Sequence, residues 1–406
     1  MKKLLMIFPF LFFAVIILTA ASSTDPKNNV VWTDDLRTPC KSLLVRNQSA
    51  VIATDSGIYL LDAKTGEKKT HLTQAVSSAL AFDNQNILAI SAKTIFRINP
   101  ASGEIVGQTK VSGAAIKGDI LCGPELLAGC LLCQSEDKAF ILNAQTGNII
   151  HKFPQKIFVG DFLSLISSNR WRDCFDQINS VIYEVDGRKI LGLSLPNLKK
   201  SFQAEASEEL FGPPTINGQR LFVFSSNRLF AFDLAKGNLV FSTNVQLPKP
   251  VYPYIWSQQD GNAIQFVGDK TLYTHSVEKS KIIYQYPLPG DPYPLFVRGN
   301  MIYFLMRFTH QLTETKRSVI FAHNLKNAQL YGRSPVDGDG RPVFVLGNGS
   351  IAVELTPGKV VLLDDKELEI LGTLEISDDY LAGLSSGGPG AIAASDKGKV
   401  FGFSIR

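Results

Sequence analysis

Tryptophan is scarce in this 406-residue chain, limited to Trp32, Trp171 and Trp256, and there are only four methionines and five histidines. Charged residues make up 19% against 45% apolar ones, and sustained helical periodicity is almost absent. No Gly-x-Ser-x-Gly elbow, P-loop or His-Glu-x-x-His helix occurs, so nothing points to a serine hydrolase, a P-loop nucleotidase or a zinc peptidase. The histidines (His71, His151, His275, His310 and His323) are scattered without ligand spacing, although His275 and His323 fall at equivalent places in two repeats and read as packing. A net charge of +4 is too mild to argue for nucleic acid or an anionic membrane surface as partner.

Cysteine is sparse and odd in number: Cys40, Cys122, Cys130, Cys133 and Cys174. Intrachain disulfides would leave at least one thiol over, and their connectivity does not follow from spacing. Cys130 and Cys133 have C-x-x-C spacing but lie in an apolar strand over 126–133, where residues three apart point to opposite faces. No second such pair and no histidine pair stands near to complete a zinc site. Core cysteines are the expectation.

Long hydrophobic runs are also missing, except at the start. Lys2-Lys3 precede fifteen apolar residues at 4–18, then Thr19-Ala20-Ala21-Ser22. A basic start, an apolar middle and a small-residue end make a signal peptide over 1–21, leaving one domain over 29–406. The rival is an uncleaved anchor, since 4–21 reaches about the minimum spanning length. Pro9 and the small-residue end favour cleavage. The expectation is an exported protein without stable membrane insertion, periplasmic in a Gram-negative bacterium and otherwise secreted. Lipid attachment would need a cysteine straight after the small residues, and the nearest is Cys40. Loss of 1–21 removes Lys2 and Lys3 and lowers the net charge from +4 to +2.

What the chain does have is a repeat. Residues 216–245 read as three short strands and two turns, with 220–224 apolar on both faces and Asp233-Leu-Ala-Lys-Gly237 closing a hairpin. The hairpin recurs as Ile58-Tyr-Leu-Leu-Asp62…Gly66, Ile95-Phe-Arg-Ile-Asn99…Gly103 and Ala139-Phe-Ile-Leu-Asn143…Gly147. Weaker copies end at Asp186, Ser276, Asn324, Asp364 and Ser404, with steps of 37 to 48 residues. Two further short strands precede most copies, for example 80–82 with 87–90. Four strands in about forty residues, repeated without helices, predict an all-β chain forming a single closed β-propeller. The last unit lacks a fourth strand and 29–34 is a strand without neighbours, so the N-terminal strand is expected to complete the last blade and remove an open edge. Eight or nine four-stranded blades fit, nine being the direct count.

The turns Asp62-Ala-Lys-Thr-Gly66, Asn143-Ala-Gln-Thr-Gly147 and Asp233-Leu-Ala-Lys-Gly237, each after an aromatic-containing strand, resemble the PQQ-like (quinoprotein-like) propeller repeat over roughly 30–406. That family includes both enzymes and scaffolds. In length and repeat style the chain resembles its exported outer-membrane barrel-assembly scaffolds, which implies protein partners. The family's quinone-dependent dehydrogenases are longer, have vicinal cysteines and tryptophan-rich repeats, and none of these features is present here. No quinone or other cofactor is therefore expected.

Two smaller signals have plain readings. Asp337-Gly-Asp-Gly340 begins like a calcium loop but lacks the third acid and the distal glutamate, so it reads as an interblade turn and no metal is expected. Asn47-Gln-Ser49 and Asn348-Gly-Ser350 are sequons that read as turns. One region departs from the pattern. Pro/Tyr-rich links at 247–254 and 286–294 enter successive blades, and the later blade has an apparent insertion over 307–317 between its second and third strands. All three should emerge at one end of two adjacent blades. They supply Tyr252, Tyr254, Tyr293, Arg307 and Arg317, with Trp256 nearby, as candidate partner-binding residues; rigid linkers with one tolerated insertion are the alternative. The functional expectation is a non-catalytic protein-interaction scaffold. Its rivals are an enzyme with loop-borne residues and no known motif, and a propeller binding carbohydrate or a small ligand.

Overall fold

The computed structural model describes residues 30–46, 48–113, 116–123, 126–135, 139–153, 174–245, 255–257, 263–268, 271–287, 292–298, 301–309, 316–324, 330–337, 344–345, 351–355, 359–364, 368–375, 381–387 and 390–404. The leader at 1–21, Asn47, Trp171, His310 and the second sequon lie outside them. The described chain forms nine four-stranded antiparallel sheets. Eight take consecutive strands from 40–72, 79–110, 121–152, 175–205, 211–244, 255–287, 292–337 and 344–375. The ninth joins Leu381–Gly387, Gly390–Ser395 and Lys399–Ser404 to the N-terminal strand Val30–Asp35.

The repeated turn explains the repeated sequence. Asp62 Oδ1 accepts the N–H groups of Lys64 (2.9 Å) and Thr65 (3.0 Å), while the Gly66 N–H donates to the Asp62 carbonyl at 2.9 Å. Asn143 holds Gln145 and Thr146 at 3.0 and 2.9 Å, and Asp233 holds Ala235 and Lys236 at 2.9 and 2.8 Å. A short side chain with an acceptor oxygen is what this geometry requires. The closing glycine lies in the left-handed region, with φ of 76° at Gly66 and 74° at Gly147, where a Cβ is sterically costly. Close approach excludes a Cβ there as well. One at Gly66 would strike the Trp32 indole, and one at Gly147 the Lys110 carbonyl. Gly103 against Thr70 and Gly237 against Gln203 repeat the contact. In each case the partner lies on the fourth strand of a neighbouring sheet, and for Gly66 that strand is the N-terminal one.

A second periodic feature is not visible in the sequence. In every sheet the ladder between third and fourth strands slips by one residue, as at Leu60/Leu61 and Ala231/Phe232. The N-terminal strand repeats this bulge against Lys399–Ser404, between Val30 and Trp32. Such a bulge adds twist and bends the outer strand.

The core lies between sheets. In Ser49–Thr54, Ala50 and Ile52 pack with Ile392, Ala394 and Val400 of the ninth sheet, while Val51 and Ala53 pack with Leu80 and Ile87 of the second. In Arg220–Phe224, Leu221 and Val223 face the fourth sheet while Phe222 and Phe224 face Ile264 and Phe266 of the sixth. The period of two thus sends alternate residues to opposite neighbours, so strands apolar on both faces are covered on both.

The fourth sheet corrects one expectation. Residues 182–186 are part of its second strand, Val181–Asp186, and the third is Lys189–Ser194. Asp186 ends the second strand and pairs with Lys189 across a two-residue loop, Gly187-Arg188, with Gly187 at φ 59°. Gly187 opens the second-to-third turn, so Asp186-Gly187 only imitates the repeat's signal. The strand containing the C-x-x-C pair is also shorter than expected, Cys130–Gln134, because a turn at Ala128 and Gly129 precedes it.

Candidate interaction face

Antiparallel order gives each sheet two unlike ends. The links between sheets and the second-to-third hairpins emerge at one, the link end; the Asp/Asn–Gly turns emerge at the other. Trp256 is the second residue of Ile255–Ser257 and pairs with Gln265. Tyr293 is the second residue of Pro292–Arg298 and pairs with Leu305. Both therefore start their sheets at the link end. Tyr252 and Tyr254 lie outside the described residues.

Both ends of the apparent insertion over 307–317 are ladder, at 307–309 and 316–317, and 310–315 lie outside the described residues. Met301–Thr309 and Lys316–Asn324 are nine-residue arms that stay paired out to Thr309 and Lys316. Phe308 and Thr309 suit a strand, so the added length extends the hairpin. Pro292 pairs with Met306, so 307–309 run past the start of the first strand. Arg307 stands opposite Ser318, and Arg317 opposite Phe308 on one side and Asp337 on the other. Ser318 is fully buried, which roots the arm in the core.

The first and third sheets place a charged cluster at their link ends. Lys41 Nζ lies 2.8 Å from Asp55 and 3.2 Å from Asp119. Partial burial lowers the Lys41 pKa, but the two carboxylates outweigh it and the net shift is upward. No local pattern announces this group, since Lys41 and Asp119 stand 78 residues apart. Only aligning the repeats brings them together, as neighbours of two first strands.

The described histidines have packing or pairing roles. His275 is fully buried, stacks on Phe241 with centroids 4.8 Å apart, and has Nε2 3.1 Å from Thr243 Oγ1. Burial pushes its pKa down to about 4; a Ser280 backbone hydrogen bond opposes the shift and Arg220 reinforces it. His323, likewise buried, meets Tyr286 edge-on at 4.8 Å. His151 contacts buried Glu184 at 2.8 Å across the third and fourth sheets, and His71 stacks on Tyr59. Cys130 and Cys133 fall in different inter-sheet clusters, as their spacing predicts. Among the described residues no group of three or more His, Cys, Asp or Glu could hold a metal ion, and no helix is long and apolar enough to cross a membrane.

Residues 55–286 match a family described as outer membrane protein assembly factor BamB. No curated protein matches significantly. Among solved structures, the computationally designed Ika8 protein aligns at TM-score 0.52 and 9% identity, over 92% of this chain and 98% of its own. Sqt1 of Saccharomyces cerevisiae aligns at 0.51 and 8%, over 93% and 99%. BamB from Moraxella catarrhalis aligns at 0.42 and 11%, over 93% and 97%. At these identities the first two structures speak to fold alone, and with the family match the fold is a β-propeller of PQQ-like repeats.

Proposed function

The chain belongs to the family described as outer membrane protein assembly factor BamB, and from that premise we propose that it is an exported, non-catalytic propeller that binds protein partners. In this reading the nine sheets are blades of one ring, closed where Val30–Asp35 serves as fourth strand of the ninth. The Gly66–Trp32 contact supports closure, because it repeats between the ninth and first sheets the packing of Gly103 on Thr70 and Gly147 on Lys110. The core cluster shared by Ile52 and Ile392 supports it too.

The observation that carries the choice of face is the seventh sheet's hairpin, whose arms continue past the first strand at the link end. Tyrosine, tryptophan and arginine combine contact area with a polar tip, and an arm held by a ladder loses little entropy on binding. Trp256, Tyr293, Arg307 and Arg317 make up the proposed face. The test is affinity capture from native envelope extract with wild type and a Tyr293→Ala, Arg307→Ala double variant, alongside thermal melts. Weaker capture at an unchanged melting temperature supports the face. Equal capture by a folded variant refutes it.

A further inference from the structure

We infer that Cys122 and Cys133 form an oxidisable pair, a disulfide site in the third sheet that takes a small-molecule or protein disulfide as oxidant. Strands Leu121–Cys122 and Cys130–Gln134 are antiparallel neighbours, with Cys122 directly opposite Cys133. The Gly123 N–H donates to the Leu132 carbonyl at 3.0 Å. That bond flanks the two cysteines, which places them at a non-hydrogen-bonded position of the ladder. Opposed residues at such positions have Cα atoms about 4.5 Å apart, within the roughly 4.4–6.8 Å span of disulfides. Directly opposed side chains leave the sheet on the same face, and both cysteines belong to one cluster with Ala81, Leu88 and Ile90 of the second sheet. The other three cysteines lie elsewhere: Cys130 and Cys174 between the third and fourth sheets, and Cys40 between the first and ninth. The C-x-x-C spacing is therefore misleading, and Cys133 is matched instead with a cysteine eleven residues upstream.

Each sulfur has only a weak contact to lose, with Cys122 Sγ 3.8 Å from the Leu80 carbonyl and Cys133 Sγ 3.8 Å from that of Leu131. Burial pushes the Cys122 thiol up to about 12 and Cys133 well above its ordinary value. Thiolate therefore forms while the two-residue strand Leu121–Cys122 is detached, during folding or local opening. With glutathione disulfide, one cysteine thiolate attacks and releases a glutathione thiolate. The second then attacks the mixed disulfide and releases another, so two protein S–H bonds become one S–S bond while the oxidant is reduced to two thiols. The link would fix a first strand that has only two paired residues.

The test refolds the full chain from denaturant with glutathione disulfide, then alkylates it in denaturant without reductant and maps the peptides by mass spectrometry. The expected product has three alkylated cysteines of the five, a mass lower by two hydrogens before alkylation, and a peptide joining Cys122 to Cys133; reduction restores all five. Five alkylated cysteines in the refolded protein, or a bond between any other pair, would overturn the assignment.

Discussion

Removing the Trp32 side chain tests how the first and last sheets are held together. Trp32 is half-buried, packs in the cluster between the ninth and first sheets, and lies where Cβ atoms at Gly66 and at Gly402 would both strike its indole. A tryptophan buries roughly 200 Å² when enclosed. Losing about half of that in Trp32→Ala, at about 25 cal/mol per Å², costs about 2–3 kcal/mol. Gly402→Ala should destabilise by a similar ~1–3 kcal/mol, because its methyl group needs the indole's space. In the Trp32→Ala background that clash has no partner, so the double variant should be much less unstable than the sum of the two losses. Val31, on the same strand but 62% exposed, is the control, and Val31→Ala should change little. Urea denaturation followed by tryptophan-independent circular dichroism measures all four variants. An unchanged midpoint for Trp32→Ala, or additive losses in the double variant, would refute the idea that this indole fills the space between the sheets.

Two further outcomes are expected. His275 has a folded pKa of about 4 and an unfolded value of about 6.5, so between those limits the unfolded chain binds the extra proton. Stability should therefore be fully present above pH ~6.5 and fall towards pH 4, by up to about 3 kcal/mol; melts of wild type and His275→Gln from pH 7 to 4.5 check this, and parallel pH profiles would contradict it. If the leader is a signal peptide, intact mass of protein from the exported soluble fraction should show loss of about the first 21 residues; a full-length, membrane-retained product would contradict it.

The parts of the fold that were legible share a local cause. Asp or Asn followed four residues later by glycine is a turn whose hydrogen bonds lie within six residues, so the sequence displays it directly at Asp62, Asn143 and Asp233. The same reasoning misplaced Asp186, because Gly187 opens a two-residue hairpin there and the turn at 195–198 has no glycine. The shared bulge was invisible, since it is a relation between two strands and leaves no fixed residue type. Phe308 and Thr309 suit a strand, but the unusual distance between strands made the paired ends at 307–309 and 316–317 read as part of a loop. The Lys41, Asp55 and Asp119 cluster and the Cys122–Cys133 pairing depend on tertiary register, which spacing alone does not encode.

In the proposed function, partners dock at the link end of the sixth and seventh sheets. Photo-crosslinking measures this most directly, with a benzophenone residue replacing Tyr293 or Arg307 and, at the opposite end, Lys64 or Lys236, each irradiated in intact cells. Partner-sized adducts are expected from positions 293 and 307 and none from 64 and 236. Adducts confined to 64 and 236, or none from folded protein labelled at 293 and 307, would contradict it.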